Sequence, residues 1–326
     1  MSGGHATKDG APAREATPRH RTQSRARRIG YRLLPGDGFS FLLHLRPREW
    51  PIMAAHTTVG FLLAVGPLAI PEGAMLRRLG IALGLWVICL NGGTLAINSA
   101  FDRDSGDIGY LDAPPPPPRG LLAFGLGLMI VGQVAAFLLP RGFVIAYAAC
   151  FALSVAYSVP PFRFKSVAGV DWIINMIGFG TLTPYAGWAA SGLPLGPVPA
   201  VVLFAFCPLF AALYPLTQLY QFEEDRARGD RTLALMLGMR ASLSVAVGAS
   251  GVAFACFAVA AMMGRVSALR AVPLAVAGVV WLAILTRWSA RCERMTVAEH
   301  KHGMYAALAA WGLTDVAVLI AFAPTG

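Results

Sequence analysis

The chain has 326 residues, of which 56% are hydrophobic and only 13% are charged, and its net charge at pH 7 is +10. A soluble domain usually has about twice that share of charged residues, so the composition excludes a soluble globular fold and indicates a polytopic membrane protein. More than a third of the Lys and Arg residues lie within the first 48 positions. This bias argues against a nucleic-acid partner and is typical of a basic segment beside membrane lipid.

The predicted elements begin with a polar tail. Residues 1–37 are basic and rich in Gly and Pro, and we expect them to be disordered. Residues 38–326 form one predicted membrane domain, which begins with a short interfacial helix at Phe39–Trp50. Nine apolar segments follow, each near the roughly 20 residues that cross a bilayer. These predicted spans lie near 51–70, 78–100, 120–139, 142–159, 171–190, 199–221, 240–263, 268–286 and 304–323.

The loops between the predicted spans differ in charge on the two sides of the membrane. Lys and Arg residues are concentrated in the loops on the side of the N-terminus. Because positively charged loops stay in the cytoplasm, we expect an integral protein of the cell membrane with a cytoplasmic N-terminus. The ends of the second and sixth predicted spans then face the cytoplasm, where Mg²⁺ and diphosphate metabolites are found.

The end of the second predicted span carries the first candidate site. Four polar residues there are three or four positions apart and so share one helical face: Asn91, Thr94, Asn98 and Asp102. Asp104 and Asp107 follow closely. Carboxylates at the edge of a membrane span are costly and usually need a cationic partner, and Mg²⁺ suits several acidic oxygens. The alternative is a solvated helix end that carries a few charges.

A second acidic cluster ends the sixth predicted span. Its polar residues are Tyr214, Gln218, Gln221, Glu223, Glu224, Asp225 and Arg226. Tyr214, Gln218, Gln221 and Asp225 share a face by their spacing. If the two helices meet, their acidic ends form a site for a metal-bound diphosphate.

Cationic and polar residues lie near the fourth and fifth spans. Arg163 and Lys165 follow Tyr157 and Ser158, and they can neutralise a diphosphate. Alternatively, they only follow the positive-inside rule.

The remaining polar residues of the spans have open roles. Asp171 and Asn175 share a face at the start of the fifth span, where Asp171 either binds substrate or caps the helix. His56 and Asp315 lie within the first and last spans. Asp315, deep in the last span, needs a buried partner and either has a structural role or lines the cavity.

At this point the sequence resembles the UbiA superfamily of intramembrane prenyltransferases. Asn98 and Asp102 match the family's first Asp-rich motif. In the second motif the matching residues are Glu223, Asp225, Arg226, Gly229, Thr232, Leu233, Leu237 and Gly238. The run from Tyr157 through Arg163 to Lys165 matches a third motif, and Leu45-Arg46-Pro47 with Trp50 resembles the entry to the first helix. The resemblance covers residues 40–323.

The resemblance implies an all-α fold with nine transmembrane helices around a central cavity that opens to the cytoplasmic side. It also implies Mg²⁺ as cofactor, and an isoprenyl diphosphate and a lipophilic acceptor as partners. Metal ligands would come from Asp102, Asp104, Asp107, Glu224 and Asp225. Catalytic residues would be Asn98, Asp102, Asp225, Arg163 and Lys165. Substrate-binding residues would be Tyr157, Ser158, Asp171, Asn175, Tyr214, Gln218, Gln221 and Arg226.

The sequence departs from the family pattern at several positions, since Glu224 replaces a Gly of the second motif and the last Asp of the first motif falls one place late, at Asp107. Ser99 and Gln221 stand where the motifs have Asp, which removes two potential metal ligands, and the nearby Asp104, Asp107 and Glu224 are candidates to replace them. Three functions therefore stay open. The first is prenyl transfer to an aromatic or polyene acceptor, the second is cyclisation of an allylic diphosphate, and the third is isoprenoid binding without catalysis.

Overall fold

A computed structural model describes residues 25–67, 73–102, 111, 113–223, 226 and 232–324. The described chain is helical, and no β-strand occurs within these ranges, so the all-α prediction is confirmed. The helices are α1 (Arg25–Leu33), α2 (Gly38–His44), α3 (Trp50–Val65), α4 (Gly73–Asp102), α5 (Leu121–Ala136), α6 (Arg141–Ser158), α7 (Val170–Asn175), α8 (Thr183–Ser191), α9 (Pro197–Leu219), α10 (Leu233–Leu237), α11 (Met239–Met263), α12 (Ala268–Ser289) and α13 (Val297–Phe322).

Within the described ranges, six helices are long and apolar enough to cross a membrane: α4, α6, α9, α11, α12 and α13. The first and third predicted spans correspond to α3 and α5, which are apolar but only 16 residues long. The fifth corresponds to α7 and α8, which are joined by a π-helical stretch at Met176–Leu182. The structure therefore supports a polytopic membrane protein.

The chain divides into two units, of which the first ends at Phe39 and the second begins at Ser40. In the first unit, α1 replaces part of the expected disorder. Its residues Ala26, Ile29, Gly30 and Leu33 share one face by helical spacing, opposite a basic arc. Tyr31 also packs edge-on against Phe39 at 4.9 Å between ring centroids. The structure has a helix at Arg25–Leu33, within the tail expected to be disordered, while residues 1–24 lie outside the described part of the chain.

The interfacial helix expected at Phe39–Trp50 is shorter than predicted, because α2 ends at His44. Arg46 has a φ of 50°, in the left-handed region that non-glycine residues seldom adopt. The indole Nε1 of Trp50 donates a hydrogen bond to the carbonyl of Leu45 at 2.9 Å. This turn leads the chain directly into α3.

Helix α4 contains a π-helical stretch at Gly84–Gly92. In a regular α-helix, residues five apart lie about 140° apart around the axis. The π-helical stretch instead lets Trp86 and Asn91, five residues apart, both line the central cavity described below. Trp86 also donates from Nε1 to Thr183 Oγ1 at 3.3 Å. π-helical turns are frequent at functional sites, and the second such stretch, Met176–Leu182, borders the same cavity.

Helices α3 and α8 pack with their backbones in close approach. A Cβ added at Gly60 would lie 1.7 Å from the carbonyl oxygen of Pro184, and one added at Gly187 would lie 1.7 Å from that of Thr57. Small residues allow such approaches between membrane helices. This packing fixes α3, which contributes one wall of the cavity.

We expect Gly187→Ala to destabilise the protein by about 3 kcal/mol, because the new methyl group meets rigid backbone rather than a movable side chain. The thermal unfolding midpoint in detergent measures the effect.

Gly80→Ala is the matched control, since a Cβ there meets nothing within 4 Å and alanine favours the helix. An unfolding midpoint for Gly187→Ala equal to that of Gly80→Ala would contradict the close packing of α3 and α8.

Candidate active site

A cavity of about 300 Å³ lies among α3, α4, α6, α9 and α13 and the segment from α7 to α8. Its wall is mainly apolar and rich in aromatic rings, including Trp86, Phe179, Phe210 and Trp311. Phe179 and Phe210 are stacked, with ring centroids 5.3 Å apart and 13° between their planes. Such a wall suits a lipophilic molecule.

The polar face of α4, which was predicted from the spacing of its residues, lines this cavity. Asn91, Thr94 and Asn98 all belong to the wall. Thr94 Oγ1 lies 2.9 Å from Ser154 Oγ on α6, which joins the two helices beside the cavity. The predicted residues Tyr157, Asn175 and Tyr214 also line it.

Lys165 is the centre of a polar cluster where α4 and α6 end. Its Nζ donates to Asn98 Oδ1 at 2.8 Å and also to Asp102 Oδ1. Ser158 Oγ donates to the same Asn98 oxygen at 3.4 Å. Arg163 Nη2 lies 3.6 Å from Asp102 Oδ1. The structure thus brings together five residues predicted for the site from two separate stretches of sequence.

The two cations of this cluster differ in exposure. The Lys165 side chain is only 10% exposed, whereas that of Arg163 is 46% exposed. Charges interact more strongly where water is excluded, so Lys165 has the stronger effect on an anion at the cluster.

A turn after α6 positions both cations. The helix ends at Ser158, before Pro160 and Pro161, since proline cannot continue a helix. Arg163 then adopts a φ of 38°, and a short 3₁₀ turn at Phe164–Ser166 carries Lys165. A non-glycine residue is strained in the left-handed backbone conformation, and such strained residues are concentrated at functional sites.

A second network joins α6, α7 and α9. The hydroxyls of Tyr157 and Tyr214 lie 3.3 Å apart, and Tyr214 donates to Asp171 Oδ2 at 3.0 Å. Asp171 is 2% exposed, and its Oδ1 accepts from the backbone N–H of Gly169 at 2.8 Å. Asn175 Nδ2 donates to the Asp171 carbonyl at 2.8 Å. Asp171 therefore organises the start of α7, as the capping interpretation expected, and also holds a tyrosine of the cavity wall.

Three predicted residues at the end of α9 lie outside the cavity wall. Gln218 Oε1 accepts from the backbone N–H of Ala234 at 3.0 Å, which anchors α10. Gln221 follows in a turn. Arg226 is exposed, with Nη1 3.3 Å from both carboxylate oxygens of Glu223 and its guanidinium 4.9 Å from the Phe222 ring centroid. A substrate-binding role for these three residues stays a prediction.

Four of the five predicted metal ligands, Asp104, Asp107, Glu224 and Asp225, lie outside the described residues. Asp102 is described, and both of its contacts involve Oδ1. Within the described ranges, no group of three or more His, Cys, Asp or Glu side chains is placed to hold a metal ion. The metal assignment therefore stays a prediction, with Asp102 as its described member.

Sequence reasoning missed the pairing of His56 with Asp315. His56 Nδ1 lies 3.0 Å from Asp315 Oδ1, and both residues are buried. The sequence indicated only that Asp315 needs a partner. Because 259 positions separate the two residues, spacing within one helix gave no signal for the pair.

These features define a helical membrane protein with a polar site at one end of an apolar intramembrane cavity. A model of the UbiA prenyltransferase family matches residues 53–303. The chain therefore belongs to the UbiA prenyltransferase family and is an integral membrane prenyltransferase.

Curated relatives agree with this family. The digeranylgeranylglyceryl phosphate synthase of Natronomonas pharaonis is 32% identical over 208 residues, covering 63% of this chain and 71% of that protein. The lycopene elongase/hydratase of Haloarcula japonica is 32% identical over 209 residues, covering 61% of this chain and 67% of that protein.

Solved structures share the fold. A UbiA homologue from Archaeoglobus fulgidus bound to GPP and Mg²⁺ has a TM-score of 0.61 at 19% identity, covering 84% of this chain and 99% of that one. A structure described as giving insights into digeranylgeranylglyceryl phosphate synthase in membranes has a TM-score of 0.64 at 13% identity, covering 86% and 97%.

We expect Asp171→Ala to lower the thermal unfolding midpoint strongly. It leaves the Tyr214 hydroxyl and the Gly169 N–H without their acceptors, and each buried unpaired group costs about 1–3 kcal/mol. Asp171→Asn keeps one acceptor oxygen and should lie between Asp171→Ala and the wild type.

Asp37→Ala, at an exposed turn, is the control and should leave the midpoint unchanged. Equal midpoints for Asp171→Ala and the wild type would rule out the structural role of this carboxylate.

Proposed function

We propose that this protein transfers a prenyl group from an allylic isoprenyl diphosphate to a lipophilic acceptor inside the membrane. The observation that carries the proposal is the cluster of Lys165, Asn98 and Asp102 beside an apolar cavity. Such a donor has both an anionic head and a hydrocarbon tail, and the site offers a matching environment for each.

Fixed cations support a diphosphate as the donor's head group. Lys165 and Arg163 both approach the Asp102 carboxylate, so two positive charges lie side by side in the cluster. Lys and Arg side chains bind phosphate oxygens through charge-assisted hydrogen bonds. The A. fulgidus homologue was solved with DMAPP and with GPP, each together with Mg²⁺, which supports the same donor class here.

The donor chemistry of Asp102 fits Mg²⁺. Its Oδ1 is engaged by the cations, whereas Oδ2 has no hydrogen-bond partner among the described residues, and hard carboxylate oxygens are the usual protein ligands of this ion. We assign Asp102 as one ligand, together with Asp104, Asp107, Glu224 and Asp225 from outside the described part. When bound, Mg²⁺ would neutralise charge on the diphosphate oxygens.

The protein's own groups would act on the leaving group and on the cation. When the bond between C1 and the diphosphate oxygen breaks, negative charge grows on the diphosphate, and Lys165 and Arg163 stabilise it. The remaining allylic cation faces the rings of Tyr157 and Tyr214, whose π-faces attract positive charge. The apolar wall excludes water, so the acceptor attacks C1 instead.

The class of the acceptor has less support than the class of the donor. The aromatic wall around Trp86, Phe179 and Phe210 suits a flat, conjugated molecule, either aromatic or polyene. Relatives named lycopene elongase/hydratase support a polyene acceptor. A further relative is named digeranylgeranylglyceryl phosphate synthase, so the names of the relatives do not point to one acceptor class. We therefore propose a lipophilic acceptor and leave its class to the assay below.

The membrane arrangement forms part of the proposal. The six long helices together with α3, α5 and the α7–α8 segment would give nine spans in a domain from 38 to 326. The positive charge of the loops supports a cytoplasmic location for the N-terminus and for the polar cluster.

We expect Asp102→Ala to reduce prenyl transfer by about 10²- to 10³-fold, because it removes a metal ligand and the partner that positions Lys165. The measurement is diphosphate release from purified protein in liposomes, with Mg²⁺, allylic diphosphates of graded length, and aromatic or polyene acceptors. Glu293→Ala removes an exposed carboxylate that pairs with Arg240 and should retain wild-type turnover.

The same assay separates the proposed function from its alternatives. Release that needs both Mg²⁺ and an acceptor supports transfer. Release without an acceptor, with a cyclic product, would assign a cyclase instead. A folded wild-type protein that releases no diphosphate with any donor and acceptor would overturn the proposal.

We also expect the two cations to differ in importance. Lys165→Met should lower turnover by about 100-fold, since it removes a buried charge from the leaving group. Arg163→Met should lower it by about tenfold, because a half-exposed charge is screened by water. Arg141→Met, at the exposed start of α6, is the control, and a larger loss for Arg163→Met than for Lys165→Met would contradict this ranking.

A further inference from the structure

The cavity wall has a second polar region, separate from the Lys165 cluster. It consists of Arg46 and Glu49, from the turn that leads into α3, and of Asn91 on α4, and all three residues line the cavity. Arg46 is 9% exposed and Asn91 is 5% exposed. Charged side chains in such an apolar environment are costly and usually mark a functional site, yet binding of the diphosphate at the Lys165 cluster does not require them.

The two charges of this region are not paired directly. Arg46 lies close enough to Glu49 to affect the carboxyl group, but the two side chains form no ion pair in the described part of the chain. Arg46 Nε is also buried without a hydrogen-bond partner among the described residues. Because a buried charge without a partner is unfavourable, the protein alone does not satisfy this region.

Two irregular segments of backbone bring these residues together. Arg46 has left-handed backbone, with a φ of 50°, and Asn91 belongs to the π-helical stretch Gly84–Gly92. The segments are packed closely, since a Cβ added at Gly92 would lie 3.3 Å from Leu45 Cβ. The Asn91 amide lies beside the Glu49 carboxyl group, but its Nδ2 makes no hydrogen bond of normal geometry within the described ranges.

The region lies deeper in the cavity than the Lys165 cluster. Asn91 precedes Asn98 by seven residues on α4, and a helix rises 1.5 Å per residue, so the two residues are about 10 Å apart along the helix axis. Asn98 accepts from Lys165 in the cluster that is proposed to bind the diphosphate. An acceptor that lies between the two levels has its reacting carbon near the donor and its other end at Asn91.

The chemistry of the two charged groups determines what they bind. Arg46 only donates hydrogen bonds, whereas an ionised Glu49 only accepts them. A hydroxyl group both donates and accepts, so it can join the two side chains. A carboxylate or phosphate would be repelled by the ionised Glu49, and a hydrocarbon would leave both charges without a partner.

The protonation state of Glu49 does not alter this match. Burial raises the pKa of its carboxyl group, and the nearby Arg46 and Asn91 oppose that effect. An ionised carboxylate accepts a hydrogen bond from a hydroxyl group, and a protonated carboxyl group donates one to it. A hydroxyl group therefore pairs with Glu49 in either state.

We propose that Arg46 and Glu49 bind a hydroxyl group of the acceptor, so that the acceptor is a hydroxylated conjugated molecule rather than a hydrocarbon. The inference rests on the proposed function and specifies the class of its acceptor. A phenolic ring and a polyene with a hydroxyl end share this chemistry. Hydrogen bonds at the deep end of the cavity hold the acceptor so that a carbon at its other end faces the donor.

The test uses two pairs of acceptors whose members differ only in a hydroxyl group: naphthol with naphthalene, and a hydroxylated carotene with its parent carotene. Prenyl transfer is measured as kcat/KM in liposomes with Mg²⁺ and allylic diphosphates. We expect the wild type to favour the hydroxylated member of a pair by about 100-fold, because a site that hydrogen-bonds a hydroxyl group rejects an analogue without it. The pair that reacts identifies the acceptor as aromatic or polyene.

The double variant Arg46→Met/Glu49→Leu removes both charges together and so leaves no unpaired charge in the cavity. We expect it to lose the preference of about 100-fold for the hydroxylated acceptor. The matched control is Arg240→Met/Glu293→Leu, which removes an exposed pair of the same two residue types. This control should keep the wild-type preference.

A binding measurement on the wild type needs no variant. Trp86 and Trp311 line the cavity, so quenching of tryptophan fluorescence reports an acceptor that enters it. Without donor, the hydroxylated member of the reacting pair should quench at a concentration at least about tenfold lower than the hydrocarbon does. Equal quenching concentrations would contradict the proposed hydrogen bonds.

Two results of the transfer assay would overturn the inference. One is a wild type that uses the hydrocarbons as well as their hydroxylated partners, and the other is a folded double variant with an unchanged preference. A wild type that releases no diphosphate with any donor and acceptor contradicts the proposed function itself. Transfer without a preference for a hydroxyl group contradicts only the role of Arg46 and Glu49.

Discussion

The architecture of this protein depends on the cost of placing polar groups in a membrane. A polar side chain at that depth needs a hydrogen-bond partner, and the partners on other helices hold the helices together. Lys165 joins α4 to the turn after α6, Tyr214 joins α9 to the start of α7 through Asp171, and His56 joins α3 to α13. The same groups that satisfy this requirement surround the cavity, so stability and site geometry have one origin.

Much of the fold and part of the site follow from sequence patterns. The apolar runs of the sequence predicted the helices, because a helix that crosses the bilayer needs a long apolar run. Helical spacing correctly placed Asn91, Thr94 and Asn98 on one face of α4, where they line the cavity. The closeness of Lys165 to Asp102 follows from charge complementarity between two conspicuous motifs at helix ends.

Contacts between distant helices could not be predicted in the same way. Spacing describes neighbours on one helix, whereas the pairing of His56 with Asp315 depends on how α3 and α13 pack against each other. Gln218 has the spacing of a site residue, yet it hydrogen-bonds the backbone of Ala234, because local geometry and not residue type decides which acceptor it meets. The length of α3 also differs from its predicted span, because α3 ends at Val65, where Gly66 follows with a φ of 89° that does not continue the helix.

The π-helical stretch at Gly84–Gly92 has a consequence for how such chains diverge. Its nine residues follow the wider i→i+5 winding, so the part of α4 after it is rotated relative to an uninterrupted α-helix. A change of length within this stretch would rotate the rest of α4 and turn Asn98 away from the cavity and Asp102 away from Lys165. Substitutions here are limited mainly by packing, whereas changes in chain length alter the register of the whole site. Sequence alignments of this segment should therefore be anchored on residue count rather than on residue identity.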